Sequence, residues 1–185
     1  MPPGPHGIPP ELVERNQRER LIAAMAEVCA ERGYAESSVA EVAKRAGVST
    51  ASFYRQFKDK RECMLASFEE LFGRLLAALE GSCDGSEGAE ARARVGARTA
   101  AALLAEDLPT ARLLSVEILA VGSQGVRVQH GAMDRLAALL RGGEPSASVD
   151  VAWAAVAAMT TLVAKRLAEE RLPDPDELET FAEVL

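Results

Sequence analysis

The 185-residue chain is poor in aromatics, at 4%, with one Trp and two Tyr, and it holds only two His. Runs of β-branched or aromatic residues are scarce while Ala is abundant, so the fold expected is all-α. Neither His lies in a Ser/His/Asp or Cys/His grouping, which argues against acid-base or nucleophilic catalysis and hence against an enzyme. The three Cys, Cys29, Cys63 and Cys83, lack metal-ligand spacing and the even count of a disulfide framework. No metal or cofactor is therefore expected. Cys29 falls on an apolar helix face, whereas Cys83 stands among Gly and Ser, so it is expected to be exposed and is the one candidate for a redox-sensing thiol. The Gly81–Gly88 segment has no following Lys-Ser/Thr and is acidic, so it reads as a linker and not a phosphate loop. No secretory leader is legible, and the longest uncharged run, Val151 to Ala164, is too short to span a bilayer. The expectation is a cytoplasmic protein without a membrane role.

Net positive charge is also lacking. The chain carries −7, but unevenly: residues 1–60 hold nine Lys or Arg against eight Asp or Glu, the remainder twelve against twenty. The acidity belongs to the C-terminal part. A nucleic-acid role for the N-terminal part is not excluded by it, although a merely neutral surface implies that affinity must come from specific contacts and dimerisation.

What is present centres on Ser37 to Lys60, SSVAEVAKRAGVSTASFYRQFKDK. Val39, Val42, Ala43 and Ala46 recur at helical spacing behind a Ser that suits the N-cap, and Lys44 and Arg45 suit the C-terminal end of the helix dipole. Gly47 supplies the positive φ that ends this helix, and Ser49 or Thr50 can cap the next. Phe53 and Phe57, four apart, point inward; Ala51, Ser52 and Arg55 lie opposite, with Tyr54 and Gln56 on the flanks. Helix, short Gly turn, second helix with a small polar face is the layout of a helix-turn-helix.

The run from about Arg18 to Glu70 resembles the DNA-binding domain of the TetR family of transcriptional regulators. The pieces that carry the likeness are Glu31-Arg32-Gly33-Tyr34, Val39-Ala40-Glu41-Val42-Ala43, Ala46-Gly47-Val48-Ser49, and Phe53-Tyr54-Arg55-Gln56-Phe57-Lys58-Asp59-Lys60. The resemblance implies a homodimer on a palindromic double-stranded DNA operator, released by a small-molecule effector. It places Thr50, Ala51 and Ser52 nearest the bases, and Tyr54, Gln56, Lys58 and Lys60 on phosphates. Ser38 and Val39 would meet a phosphate through the start of their helix, and Arg55 would do either. Ala40 stands where relatives offer a further contact, so DNA shape should weigh more in the readout. A repressor is the reading implied; an activator of the same fold, or an adaptor that binds only protein, is not separated from it by these residues.

The organisation expected is a Pro-rich tail over 1–10, a three-helix head over 11–60, a connecting helix over 61–80 with Asp59 and Glu62 as its capping box, and an effector-binding and dimerisation domain over 81–185. About nine helices are expected in all, with the first ending at Gly33-Tyr34. Arg92, Arg94 and Arg98 are expected to face solvent, and Gly131 weakens the seventh helix. A helix from about Ala147 to Leu172, apolar nearly all round, must be buried on two sides. One side meets its own domain and the other a second copy, joined by a last stripe of Leu178, Phe181 and Leu185. Val149, Ala152, Val156, Met159 and Val163 complete that expected interface. For a lipophilic effector, Phe72, Met133 and Trp153 are candidate walls and Glu117, His130 and Thr160 the polar candidates. Glu117, in an apolar run, needs a partner, either Arg112 or a cationic ligand.

Overall fold

The computed structural model describes residues 9–143 and 148–181. Among the described residues there are nine α-helices, one 3-10 helix and no strand. In order they are α1 Pro10–Glu36, α2 Val39–Arg45, α3 Thr50–Gln56, α4 Lys60–Cys83, α5 Ala89–Glu106 and α6 Leu108–Ser115. The 3-10 helix Glu117–Val121, α7 Ser123–Arg141, α8 Val149–Ala168 and α9 Pro175–Glu179 complete the chain.

The head forms as local chemistry dictates. Gly33, at φ 79° and ψ 155°, breaks α1 and leaves one separate turn after it. Ser38 and Glu41 cap α2 reciprocally, the Ser38 side chain accepting from Glu41 N–H and the Glu41 carboxylate from Ser38 N–H. Gly47 follows at φ 64°, and the Ser49 hydroxyl caps α3. Phe53 and Phe57 are buried, 5.6 Å apart between ring centres, each contributing about 1.5–3 kcal/mol of apolar burial. Arg18 lies over the Phe57 ring at 4.6 Å.

The buried core runs without a break from Leu21 of α1 through Phe68 of α4 to Leu178 of α9. Head and C-terminal part thus share one core, with α4 in contact with α1, α5, α6 and α7. A smaller cluster joins Ala93, Met133, Ala137, Leu140, Ala152 and Val156, with Trp153 packed on it.

Several expectations are corrected here. The connecting helix does not end near Glu80 but continues through Cys83, whose side chain is buried and whose Sγ lies 3.4 Å from the Arg92 carbonyl oxygen. An exposed sensing thiol is ruled out by that packing. Arg92 turns inward, donating to the carbonyls of Leu140, Arg141 and Ser86. The sixth helix, expected from Pro109 to about Val121, stops at Ser115, because Val116 leaves helical geometry, and a 3-10 helix carries the chain on. Gly131 does not interrupt α7.

The face of α8 is also reassigned. Ala152, Val156, Val163 and Leu178 are buried inside the chain itself, so they are unavailable to a second copy. Met159 faces the interior cavity described below. Val149 is exposed, and Phe181 is half-buried. The outward stripe consists of Val151, Ala154, Ala158 and Thr161, at alternating spacings of three and four. By length and composition α8 passes for a membrane span, with a mean hydropathy of 1.3 over its most apolar window, yet its inner face packs on α6 and α7. The proline-rich segment up to residue 8, the start at Ala147 and the last stripe residue Leu185 lie outside the described residues.

Candidate nucleic-acid interface and ligand cavity

On α3 the exposed residues are Thr50, Ala51, Tyr54 and Arg55, followed by Lys58. Tyr54 is the most prominent, 58% exposed and edge-on to Phe53 at 5.5 Å. This is a short helix with small residues at its start and a phenol and a guanidinium behind them, a shape that enters a major groove.

The side chains of three residues expected on DNA, Ser52, Gln56 and Lys60, are otherwise engaged. Ser52 is buried, and its hydroxyl is shared between Ser49 Oγ at 3.0 Å and Arg55, which donates to it at 2.8 Å. It therefore orients Arg55. Gln56 Nε2 donates to the Glu14 carbonyl at 3.4 Å, docking α3 on α1. Val39 is half-buried against the core. Lys60 points into the molecule, where its Nζ donates to the carbonyls of Tyr34 at 2.6 Å and Ser37 at 2.7 Å and sits 4.3 Å from the Tyr34 ring centre. Ser38 is exposed, with its hydroxyl held in the capping box.

Sequence pattern missed Lys44 and Arg20. Both are exposed, and the Arg20 guanidinium lies across Gly47, so close that a Cβ there would sit 2.4 Å from Nη2. With Lys58 they are exposed cations of the head. The signal for Arg20 is absent from sequence, because it depends on how α1 crosses the turn.

In the C-terminal half lies a cavity of about 110 Å³. Phe68, Phe72, Leu75 and Leu79 of α4 form one wall, and Gly96, Ala97, Ala100 and Leu104 of α5 a second. Leu114 and Ser115 of α6, Met133 and Leu136 of α7, and Met159 and Val163 of α8 complete it, with Leu178 at one side. Among the described residues, none that lines it is charged. Along α4 the lining extends from Phe68 to Leu79, about 16 Å of helix. The polar groups are Ser115, Gln129 and Thr160; Gln129 donates to the Leu114 carbonyl and Thr160 to that of Val156, so both present mostly apolar atoms.

Of the effector candidates, Phe72, Met133 and Thr160 line the cavity. Glu117, His130 and Trp153 do not. His130 is exposed and meets Trp153 edge-on at 5.7 Å, on the outer side of the smaller cluster. Glu117 is buried because it accepts the Tyr34 N–H at 2.7 Å, not because a cationic ligand awaits it. Arg112 is not its partner either, reaching instead toward the Leu167 carbonyl at 3.4 Å. Gln129 and Ser115 escaped notice because nothing in their spacing marks them off from ordinary helix surface.

The all-helical chain thus combines a helix-turn-helix head with an apolar cavity in the helices behind it. Residues 21–67 match the family model described as "Bacterial regulatory proteins, tetR family". The chain is similar to the fatty acid metabolism regulator protein of Bacillus subtilis (strain 168), 36% identical over 67 residues. That alignment spans 36% of this chain and about a third, 34%, of that protein's length. The fold is similar to the fatty acid degradation regulator FadR of Bacillus halodurans, with a TM-score of 0.76 and 18% identity, over 90% of this chain and 96% of that one. It is likewise similar to FadR of Bacillus subtilis in complex with stearoyl-CoA, with a TM-score of 0.74 and 22% identity, over 90% and 96%. Residues 21–67, the head of this chain, are thus similar to the TetR family of bacterial regulatory proteins, and the remainder shares the fold of the two FadR structures.

Proposed function

We propose that the protein is a homodimeric transcriptional repressor whose DNA binding is relieved by a long-chain fatty acyl thioester. The observation that carries this reading is the uncharged cavity, about 16 Å long on its α4 wall, beneath a head with an exposed α3. An extended acyl chain is one of few metabolites that fills a long space without a polar partner, since each unpaired polar group would carry a desolvation cost there. The two FadR likenesses favour the same ligand class, one of them being a complex with stearoyl-CoA.

Thr50 and Ala51 lie nearest the bases in this reading, with Tyr54, Arg55, Lys58, Lys44 and Arg20 on the backbone. The stripe Val151, Ala154, Ala158 and Thr161 is the contact with a second copy. A two-fold pairing sets two α3 helices about 34 Å apart, one turn of DNA, so the operator is palindromic. An effector that separates the cavity walls changes that spacing.

The test is to recover the sheared genomic fragments retained by the protein at near-physiological salt, then titrate stearoyl-CoA into the complex. An enriched palindrome released by stearoyl-CoA, but not by free CoA, is the expected result. Enrichment that stearoyl-CoA leaves intact would overturn the acyl effector, and no enrichment would overturn the operator.

A further inference from the structure

Tyr34 is held at both ends of its backbone by opposite charges from two different elements. Its N–H donates to Glu117 Oε2 at 2.7 Å, and its carbonyl accepts from Lys60 Nζ at 2.6 Å. Glu117 begins the 3-10 helix, two residues after Ser115 in the cavity wall. Lys60 is the first residue of α4, whose Phe68 and Phe72 form the facing wall. The two walls of the cavity therefore end on a single residue of the head.

That residue is also the one best placed to pass on movement. Gly33, at φ 79°, turns the chain so that the Tyr34 N–H leaves the helix and meets the carboxylate; a Cβ at Gly33 would stand only 3.6 Å from Oε2. The Ser37 hydroxyl donates to the Tyr34 carbonyl at 2.8 Å, Lys60 also holds the Ser37 carbonyl, and Ser38 caps α2 directly after. A shift of Tyr34 thus reaches the first residue of the helix-turn-helix within four positions.

We infer that Glu117 and Lys60 form a charge clamp on Tyr34 through which separation of the cavity walls repositions α2 and α3. This rests on the repressor reading for its ligand, and extends it to the residues that couple the two parts. Both charged hydrogen bonds are satisfied while the walls hold this spacing, and moving α4 away from the 3-10 helix strains one of them. The rest of the head then follows, because a packed core switches between arrangements and does not stretch. Glu117 and Lys60 touch neither ligand nor DNA in this scheme, so they are positioning residues.

The experiment uses the full chain, Glu117→Leu and Lys60→Met, with the genomic fragment that the wild type retains and stearoyl-CoA as probe. Coupling is read as the ratio of DNA dissociation constants with and without the probe; a ratio of about fivefold or more is the usual scale of such coupling. In both variants the ratio is expected to approach one while the Kd for stearoyl-CoA stays within about twofold of wild type. Backbone amide exchange is expected to accelerate at Tyr34 and over Ser38–Ala43, without a change at the core of α8. Unchanged coupling in both variants would overturn the clamp, since a purely structural pair lowers melting temperature without uncoupling two sites. If stearoyl-CoA leaves the wild-type complex intact, the acyl reading is what fails. The clamp then stands or falls on the exchange rates: unaltered exchange at Tyr34 and Ser38–Ala43 would overturn it.

Discussion

Arg92 Nε donates to the carbonyl oxygen of Leu140 at 3.0 Å, tying α5 to the last turn of α7. Its two terminal nitrogens reach the Arg141 carbonyl at 2.8 Å and the Ser86 carbonyl at 3.1 Å. A helix C-terminus leaves carbonyls unpaired and negatively polarised, and a planar cation with donors in three directions satisfies both needs. One side chain therefore closes α7 and anchors the turn before α5.

Replacing Arg92 by Ala should cost about 2–3 kcal/mol, because partly buried carbonyls lose a charged donor. Arg92→Lys should recover less than half of that, having one ammonium where the site uses a fork. Chemical denaturation of the three proteins side by side measures both. Equal midpoints for Ala and Arg would remove Arg92 from the account of how this corner is held.

Gly125 illustrates a reversal of the ordinary helix rule. In most helix interiors Gly→Ala stabilises by about 1 kcal/mol, through reduced freedom of the unfolded chain. Here an added Cβ would sit 1.9 Å from the Ile118 carbonyl oxygen, which is backbone and cannot rotate aside. Gly125→Ala should destabilise by about 1–3 kcal/mol, whereas Gly131→Ala, with nothing near it, should stabilise. Opposite shifts in melting temperature for the two variants are the expected outcome.

What sequence could and could not reveal follows the range of each interaction. The Ser38–Glu41 box, the Gly47 turn and the inward Phe53–Phe57 pair depend on residues three or four apart, so pattern alone locates them. Glu117 and Tyr34 meet across 83 residues, and Lys60 reaches Tyr34 across 26, so no spacing rule links them. Charge type misled for the same reason: a Lys just after the helix-turn-helix looks like a phosphate contact until the fold turns it inward. The α8 error has another cause. A helix apolar on every side has no polar face to mark solvent, so Ala152 and Ala154 are indistinguishable by composition, although one is buried and the other exposed.

The thiols should behave as inert core. Burial pushes Cys63 up to about 12 and Cys29 up to about 11, and it raises Cys83 as well. In the folded chain each holds its proton more tightly than in the unfolded chain. Their contribution to stability is therefore complete below about pH 9, and is lost as pH climbs toward 11–12. A thiol-specific chromophore at pH 8 should label all three Cys in denaturant and react only slowly with the native protein. Rapid native labelling of Cys83 would contradict its burial beneath Arg92.

Filling the cavity should separate ligand response from DNA binding. Ala100 lines it on α5 and is only half-buried, so a larger side chain can be accommodated there with limited strain. Ala100→Phe is expected to weaken stearoyl-CoA binding by more than about tenfold, through loss of apolar contact and of space. Operator affinity should be unchanged, which makes the variant a repressor that its effector no longer releases. Gel shift with and without stearoyl-CoA distinguishes this from a simple folding defect, which would weaken both.

The outward stripe of α8 yields the sharpest contrast between two opposite faces. Ala154 is exposed and Ala152 fully buried, because two residues along one helix are about 200° apart around its axis. On a two-fold interface a substitution appears twice, so Ala154→Arg adds two bulky cations to a contact built of small residues. That variant should sediment as a monomer with a melting temperature close to that of the isolated protomer, and should bind its operator much more weakly. Ala152→Arg instead forces a charge into the cluster of Met133, Leu140 and Val156, where it has no partner, and should yield little folded protein at all. A dimer that survives Ala154→Arg and Thr161→Arg together would show that the second copy does not dock on this face.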